Sequence, residues 1–335
     1  MNYNAALDAE PKPGSKRSSS SGSGSSSSPK RRKGVRNQNS IPRVSEDRSL
    51  FANFLSLYIF VRLLGLGAFG LVNLMQHRIS GFFYAVKVVK KTFSKEDANT
   101  RFEINLGMRL DSEYVCKVHE FYEDDEKFYI FMDYLKGSEI YNFIVKNPTF
   151  FVNNPKIFWV VIKSVLQGLA YLHSQGIAHM DIKPENVYLL LDDAENIIGA
   201  KLIDLGLSME VNEKTKCFRG TDTYMAPEFF HFCWSTGFPS DIWSLGITAF
   251  AMLRASLPIS SRKKDPQCAQ SEIYAKIGSL LMTNSFTPFS KRSENSEISE
   301  IEDFIKSCFS VDPENRPTAD VLLKMIPETS SQINP

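Results

Sequence analysis

The pattern of hydrophobic and polar residues changes from strand-like to helical near Gly137. Before this point, short β-branched and aromatic runs alternate with glycine-rich or polar breaks, which is typical of a strand meander. After it, the run over 155–173 places apolar residues three and four positions apart and ends before Gly176, as a helix does. The pattern predicts strands at 58–64, 71–76, 83–89, 116–122 and 128–134, and further helices at 101–110, 241–253, 301–309 and 319–325.

The order of these elements predicts an α+β fold in two lobes. The 335 residues are 43% hydrophobic and 23% charged, so a sizeable core is available. A small β-rich lobe is expected over about 58–135 and a larger helical lobe over about 136–326, with a cleft between them. A short tail follows at 327–335.

The first 50 residues differ in composition from the rest. Residues 15–28 are almost wholly serine and glycine, which cannot bury enough apolar surface to fold, so residues 1–50 are predicted to be a disordered tail. This tail has ten basic and four acidic residues, against 29 and 34 in the remainder. A basic arm therefore precedes a mildly acidic body.

A compact basic cluster follows the serine tract, at Lys30, Arg31, Arg32 and Lys33. Nuclear import receptors bind clusters of this type, although short basic runs also occur in tails that are merely soluble. Both interpretations stay open. Nucleic-acid binding is not expected, because the body is acidic and no aromatic residues interrupt the cluster.

The cysteine pattern predicts an intracellular protein. Five cysteines are scattered without paired metal-ligand spacing, and no apolar signal segment leads the chain, so reduced thiols are expected. Residues 50–75 are apolar enough to imitate a membrane span, but Arg62 lies in the middle and glycines crowd the second half. We therefore expect no membrane span there, and a location in the nucleus, the cytoplasm or both.

Two features of the first lobe carry candidate chemistry. Gly65, Gly67 and Gly70 lie between two predicted strands, so they lack the helix that a dinucleotide-binding fold requires. A turn of this kind can lay backbone amides over phosphates, although a plain hairpin turn has the same pattern. Lys87 lies in an otherwise apolar strand, where an unpaired ammonium is costly to bury. Glu103 on the predicted helix is its natural partner, unless Lys87 reaches solvent from an edge strand.

The second lobe contains a more specific motif. Asp181, Lys183 and Asn186 lie within six residues, and Asp204 follows about twenty residues later, directly before Leu205-Gly206. These groups supply a base for a hydroxyl, a cation for a transferring phosphoryl group, and two oxygen ligands for Mg²⁺. The order and spacing make an accidental cluster of polar loop residues a poor explanation.

These motifs, in this order, resemble the eukaryotic protein kinase family over about residues 60–326. The resemblance implies a bilobal protein kinase fold and a serine/threonine kinase that uses ATP and Mg²⁺ to phosphorylate protein substrates. The excursion over 191–200 is similar to that of calmodulin-dependent-type kinases. The implied catalytic residues are Asp181, Lys183, Lys87, Glu103 and Thr221, the implied nucleotide contacts are Leu64, Gly65, Gly67, Gly70, Val72, Ala85, Lys87, Met132, Asp133, Leu135 and Glu139, and the implied metal ligands are Asn186 and Asp204.

The chain departs from the family pattern before and after its catalytic loop. The residue before the catalytic aspartate, usually an arginine that binds a phosphate on the activation segment, is Met180, and a thioether cannot make that contact. The slot four residues before Thr221, where many kinases carry the phosphorylated threonine, is Cys217. We therefore expect the activation segment to work without a phosphate at that slot.

A second departure lies on the predicted helix. Gly107 follows Glu103 by one helical turn, on the face where the family packs an apolar residue against the position of Leu205. Glycine weakens a helix interior by about 1 kcal/mol relative to alanine. We expect the Lys87–Glu103 pair to form only part of the time, or to need a partner protein.

An active serine/threonine kinase is the leading hypothesis, because every group that phosphoryl transfer requires is present. The rival hypothesis is a pseudokinase, a scaffold or regulatory binding module with the same fold, and it is supported by Gly107 and Met180. A third hypothesis, a nucleic-acid binder with a basic tail, has little support.

The expected independence from phosphorylation is testable at Thr215, a hydroxyl near the usual slot. Because no arginine at 180 can anchor its phosphate, Thr215→Ala should keep kinase activity within about threefold of the parent, a barrier change below roughly 1 kcal/mol. Steady-state assays on a peptide substrate, with and without phosphatase treatment, measure this. Loss of most activity after either change would show that another basic residue replaces the missing arginine.

The residue that follows Asp204-Leu205-Gly206 predicts whether serine or threonine is the preferred acceptor. Leu207 resembles the bulky residue that serine-preferring family members carry beside the acceptor, where a threonine methyl would be crowded. Phosphorylation of matched peptides that differ only in serine or threonine should show a preference for serine. A preference for threonine in the parent protein would contradict this assignment.

Overall fold

The computed structural model describes residues 56–67, 70–211, 220–229, 237–259, 266–283 and 286–328. The basic cluster at 30–33, Thr215 and Cys217 lie outside these ranges, as does most of the predicted C-terminal tail. The predictions that concern them therefore stay predictions.

The first lobe is a five-stranded antiparallel sheet with one main helix. The strand order is β1-β2-β3-β5-β4, and the helix α1 packs on the β4 edge of the sheet. Alternation of side chains places one face of the sheet toward the cleft and α1, and the other face outward. The elements are β1 (Tyr58–Gly67), β2 (Gly70–His77), β3 (Phe83–Lys90), α1 (Lys95–Arg109), β4 (Val118–Glu123) and β5 (Lys127–Asp133).

The second lobe is mainly helical, with short strands that lie beside the cleft. Its largest apolar core surrounds two buried helices. The elements are β6 (Gly137–Glu139), α2 (Ile140–Lys146), α3 (Phe150–Asn153), α4 (Pro155–Ser174), β7 (Ile177–Ala178), β8 (Val187–Leu191), β9 (Ile197–Leu202), β10 (Met209–Glu210), α5 (Phe238–Arg254), α6 (Pro266–Thr283), α7 (Ser296–Ser307) and α8 (Ala319–Leu323). The predicted α+β fold in two lobes is confirmed.

The main helix of the first lobe begins earlier than the sequence pattern predicts. The expected start was near Arg101, whereas α1 begins at Lys95. Ser94 caps the helix by accepting a hydrogen bond from the Glu96 amide. The negative charges of Glu96 and Asp97 in the first turn interact favourably with the positive end of the helix dipole. This first half of the helix is polar and exposed, so the apolar periodicity used for the prediction does not extend into it.

Two helices of the second lobe form its centre. α4 is long and apolar enough to cross a membrane by length and composition alone, but more than half of it is buried inside the domain, as expected for a core helix. α5 is buried along nearly its whole length. It lies beneath the segment between β7 and β8, which carries Asp181 and Asn186, and therefore supports that segment from below.

A buried ion pair ties the end of the second lobe to its centre. Arg316 Nη1 and Nη2 donate to the two carboxylate oxygens of Glu228 at 2.7 and 2.6 Å, and both side chains are almost fully buried. The Ser240 hydroxyl also donates to Glu228, and the guanidinium lies over the Trp243 ring. Arg316 and Glu228 therefore form a closed, buried charge pair.

Removal of one partner from this pair should be severely destabilising. In Arg316→Met the Glu228 carboxylate would stay buried without its countercharge, which typically costs 3–5 kcal/mol. Chemical denaturation measures the free energy of unfolding. Lys291→Met is a matched control, because its pair with Glu294 is exposed and should contribute less than about 1 kcal/mol. Equal, small losses in both variants would contradict the structural role of Arg316.

Candidate active site

A buried lysine joins three elements at the cleft. Lys87 on β3 is only 9% exposed, and its Nζ lies 2.7 Å from Glu103 Oε1 on α1. The same nitrogen lies 3.5 Å from Asp204 Oδ1, just beyond β9. The predicted Lys87–Glu103 pair is thus formed in the structure, and Asp204 belongs to the same cluster.

The charges of this cluster stabilise one another. Burial by itself would lower the pKa of Lys87, but the charges of Glu103 and Asp204 outweigh it and hold that pKa above its ordinary value. Burial opposes ionisation of Asp204, yet Lys87 and the Gly206 amide keep its pKa below its ordinary value. Burial raises the pKa of Glu103, and the charge of Lys87 offsets this only in part. Lys87 is therefore held as an ammonium and Asp204 as a carboxylate.

The predicted catalytic residues of the second lobe form a closed network. Asp181 Oδ1 accepts a hydrogen bond from the Thr221 hydroxyl at 2.8 Å, and Asp181 Oδ2 lies 2.7 Å from Lys183 Nζ. Lys183 Nζ also donates to the Thr221 oxygen at 2.8 Å, and Asn186 Nδ2 donates to Asp181 Oδ2 at 2.8 Å. Asp181 is thus oriented from three sides.

A buried carboxylate fixes the backbone that leads to Asp181. Asp241, fully buried on α5, accepts hydrogen bonds from the His179 and Met180 amides at 2.8 Å each. His173 Nε2 lies 3.0 Å from the same carboxylate. Met180 has a φ of 68°, a left-handed conformation that costs an ordinary side chain roughly 1–2 kcal/mol. The two hydrogen bonds from these backbone amides to Asp241 hold this strained turn in place.

The two predicted metal ligands lie on neighbouring backbones. Asn186 directly precedes β8 and Asp204 follows β9, strands that pair through Val187 and Leu202, and the Ile203 amide donates to the Asn186 carbonyl at 2.9 Å. Because Asn186 Nδ2 is committed to Asp181, its amide oxygen is the atom left to bind a ligand. One amide oxygen and one ionised carboxylate are hard oxygen donors, which fit Mg²⁺.

The glycine turn requires its last glycine for a steric reason. β1 ends at Gly67 and β2 begins at Gly70, with these two residues paired across the turn. Gly70 has a φ of 145°, and a β-carbon there would lie 2.0 Å from the Val88 carbonyl oxygen on β3. Gly65 faces open space. The start of β2 therefore lies close against β3, near the strand position of Lys87.

The protein kinase domain family model matches residues 58–326. The chain belongs to this family.

Similar curated proteins are kinases of several kinds. Calcium-dependent protein kinase 4 of Plasmodium berghei is 34% identical over 61% of this chain and 38% of its own length. Serine/threonine-protein kinase cds1 of Schizosaccharomyces pombe is 31% identical over 78% of this chain and 56% of its own. Maternal embryonic leucine zipper kinase of Danio rerio is 31% identical over 68% and 32%. The matched region thus covers about half or less of these relatives.

The side chains predicted to line the kinase nucleotide pocket share the cleft face of the sheet. Val72 pairs with Lys87 across β2 and β3, and Ala85 pairs with Met132 across β3 and β5, so these side chains point the same way. Met132 packs against the small core beneath α1. Leu64 on β1 and Leu135 just after β5 are both half-buried. The nucleotide contacts of all these residues stay predictions.

The side chain of Asp133 is committed elsewhere. Its carboxylate lies 2.8 Å from Lys201 Nζ on β9 and 2.7 Å from His119 Nε2 on β4. Burial opposes its ionisation, but hydrogen bonds from Lys201 and His119 hold its pKa below the ordinary value. Asp133 therefore ties the strand that leads to the cleft to the strand that leads to Asp204. Sequence reasoning did not find this network, because its three members lie on separate strands without a shared motif.

Glu139 at the end of β6 and Glu185 just before β8 are close enough for their charges to interact. Burial raises the pKa of Glu139, and the charge of Glu185 raises it further. Asn142 Nδ2 donates to Glu139 Oε2 at 2.8 Å, whereas the buried Glu185 Oε2 has no hydrogen-bond partner among the described residues. This acidic pair could contact a ribose hydroxyl, as predicted for Glu139, or a cationic group.

Gly107 has a close contact that the sequence does not show, and the expectation that the Lys87–Glu103 pair forms only part of the time, or needs a partner protein, stays a prediction. The Lys87–Glu103 pair is formed although Gly107 lies in the helix interior. Gly107 is buried, and the space of its missing side chain is filled by Val118 of β4. The glycine thus permits a close approach of α1 to the sheet, which a helix-propensity argument cannot show.

Proposed function

We propose that this chain is an active serine/threonine protein kinase, which transfers the γ-phosphoryl group of ATP to serine or threonine hydroxyls of proteins. The observation that carries the proposal is the joint presence of two formed clusters, Lys87–Glu103–Asp204 and Asp181–Lys183–Thr221. Phosphoryl transfer depends on positioning and charge stabilisation more than on covalent chemistry of the protein. Preformed clusters of this kind supply both.

Each residue has a role that follows from its contacts. Asp181, oriented by Thr221 and Asn186, accepts the proton of the substrate hydroxyl and aligns its oxygen. Lys183 would stabilise the charge of the transferring group, and Lys87, held by Glu103, would bind nucleotide phosphates. Asn186 and Asp204 would hold Mg²⁺, which neutralises phosphate charge when bound.

The pseudokinase alternative predicts a defective site among the described residues. Its two supports were Gly107 and Met180, and neither disrupts the geometry: the Lys87–Glu103 pair is intact, and the backbone at Met180 is fixed by Asp241. The Met180 side chain is buried and lines a small cavity with Met225 and Phe229. The arrangement therefore favours an active enzyme.

Three substitutions test the site assignment together. Lys87→Met, Asp181→Asn and Asp204→Ala should each reduce phosphotransfer by at least about two orders of magnitude, because each removes a positioned charge from the reacting groups. The rate at which a peptide library is phosphorylated by labelled ATP in the presence of Mg²⁺ measures this loss. Thermal midpoints confirm that each variant is folded. Lys90→Met on the same strand and Asp193→Asn on the β8–β9 turn are exposed controls that should keep parental activity. Near-normal turnover in any one of the three site variants would overturn the assignment.

A further inference from the structure

We propose that Gly107 is a positioning residue: its contact with Val118 sets the depth at which α1 packs on the sheet, and thereby the position of Glu103 against Lys87. The inference rests on the proposed kinase function, since it names a residue on which nucleotide binding and turnover depend. It assigns a specific task to a glycine whose place in a helix interior is otherwise unfavourable.

The contact between the two residues leaves no room for a side chain at 107. A β-carbon at Gly107 would lie 2.4 Å from Val118 Cγ2 and 3.1 Å from Val118 Cβ. Contacts below 3.0 Å do not occur for real β-carbons, and ordinary contact begins at 3.4 Å. Either the valine or the helix would have to move.

Val118 has little freedom to yield. It is 7% exposed, its β-branched side chain has restricted rotamers, and its backbone is paired with Met132 of β5. It packs within a small buried core together with Ile104 and Phe128. Close-packed interiors transmit such strain rather than absorb it. A larger residue at 107 would therefore push α1 away from β4 by about 1 Å.

The displacement would reach the active site because Glu103 lies one helical turn before Gly107 on the same side of α1. The Glu103 carboxylate contacts Lys87 at 2.7 Å, and we expect a retreating helix to lengthen this contact. A misplacement of about 1 Å in a catalytic arrangement can cost about 100-fold in rate.

The ion pairs that attach α1 to other elements are too weak to prevent this movement. Arg101 pairs with Glu123 of β4, and Arg109 pairs with Glu210 of β10, but both arginines are substantially exposed, at 45% and 58%. Exposed ion pairs contribute little to stability. Ile104 and Leu106 are buried on the same helix, so the Gly107–Val118 contact acts together with them where α1 packs on β4.

The substitution Gly107→Ala in the full chain distinguishes two hypotheses about this residue. Either Gly107 positions α1, or it only weakens the helix. Alanine favours helix, so without a steric role it should raise the thermal midpoint and leave nucleotide binding unchanged. With the proposed role, the dissociation constant of Mg²⁺-ATP should rise at least tenfold, kcat should fall at least tenfold, and amide exchange in α1 of the nucleotide-free protein should accelerate. Asn105→Ala, exposed on the same helix, is the matched control and should change neither binding nor turnover.

The decisive variant is the double substitution Gly107→Ala with Val118→Ala, which makes room for the new methyl group. It should recover nucleotide affinity and kcat to within about threefold of Val118→Ala alone. Should Gly107→Ala fail to fold, Val118→Ile enlarges the same contact from the sheet side and should weaken Mg²⁺-ATP binding similarly. Unchanged binding in Gly107→Ala, or a double variant as impaired as the single one, would overturn the proposal. A parent protein that binds Mg²⁺-ATP without turnover would refute the kinase function but leave these binding and exchange tests decisive.

Discussion

The structure depends on the burial of one positive charge. Lys87 is 9% exposed inside an apolar strand, and an ammonium in that place is tolerated only with carboxylates in contact. Its two partners come from different parts of the chain, Glu103 from α1 and Asp204 from the segment after β9. Satisfying this single charge therefore requires the sheet, the helix and the Asp204 segment to assemble together. The same assembly brings together the groups that are predicted to bind phosphate and metal.

Residue pattern and motif spacing predicted much of this assembly. Strand alternation located β1, β2 and β3, and the spacing from Asp181 to Asn186 and Asp204 identified the groups that the structure brings together. These signals are local, because each motif lies on one turn or strand whose geometry fixes its side chains. The catalytic, nucleotide and metal roles of the individual residues stay predictions.

The parts that could not be predicted depend on how separate elements approach one another. The start of α1 at Lys95 follows from the Ser94 cap, which apolar periodicity does not show. Two other features are contacts between elements that are separated by loops, and the paths of those loops could not be predicted. They are the contact of Gly107 with Val118 and the contacts of Asp133 with Lys201 and His119. Helix propensity alone predicts that Gly107 weakens α1. Its close contact is apparent only when Val118, the residue opposite it, is known.

The backbone at Met180, where the family usually has an arginine, is also held by a buried carboxylate. Asp241 fixes the left-handed backbone at Met180, and Thr221 contacts Asp181 and Lys183. These contacts connect Thr221 to the catalytic loop without an arginine at 180. The described residues thus form an assembled site whose organisation rests on carboxylates and hydroxyls of the chain itself.

The central claim is that Lys87 and Glu103 are paired in the unphosphorylated protein and present Lys87 to a nucleotide. A crystal structure of the phosphatase-treated full chain with Mg²⁺ and a non-hydrolysable ATP analogue tests it most directly. We predict a Lys87 Nζ to Glu103 Oε1 distance near 2.7 Å, with the same nitrogen in contact with phosphate oxygens. A helix α1 rotated outward, with Glu103 in solvent and Lys87 paired to Asp204 alone, would contradict it.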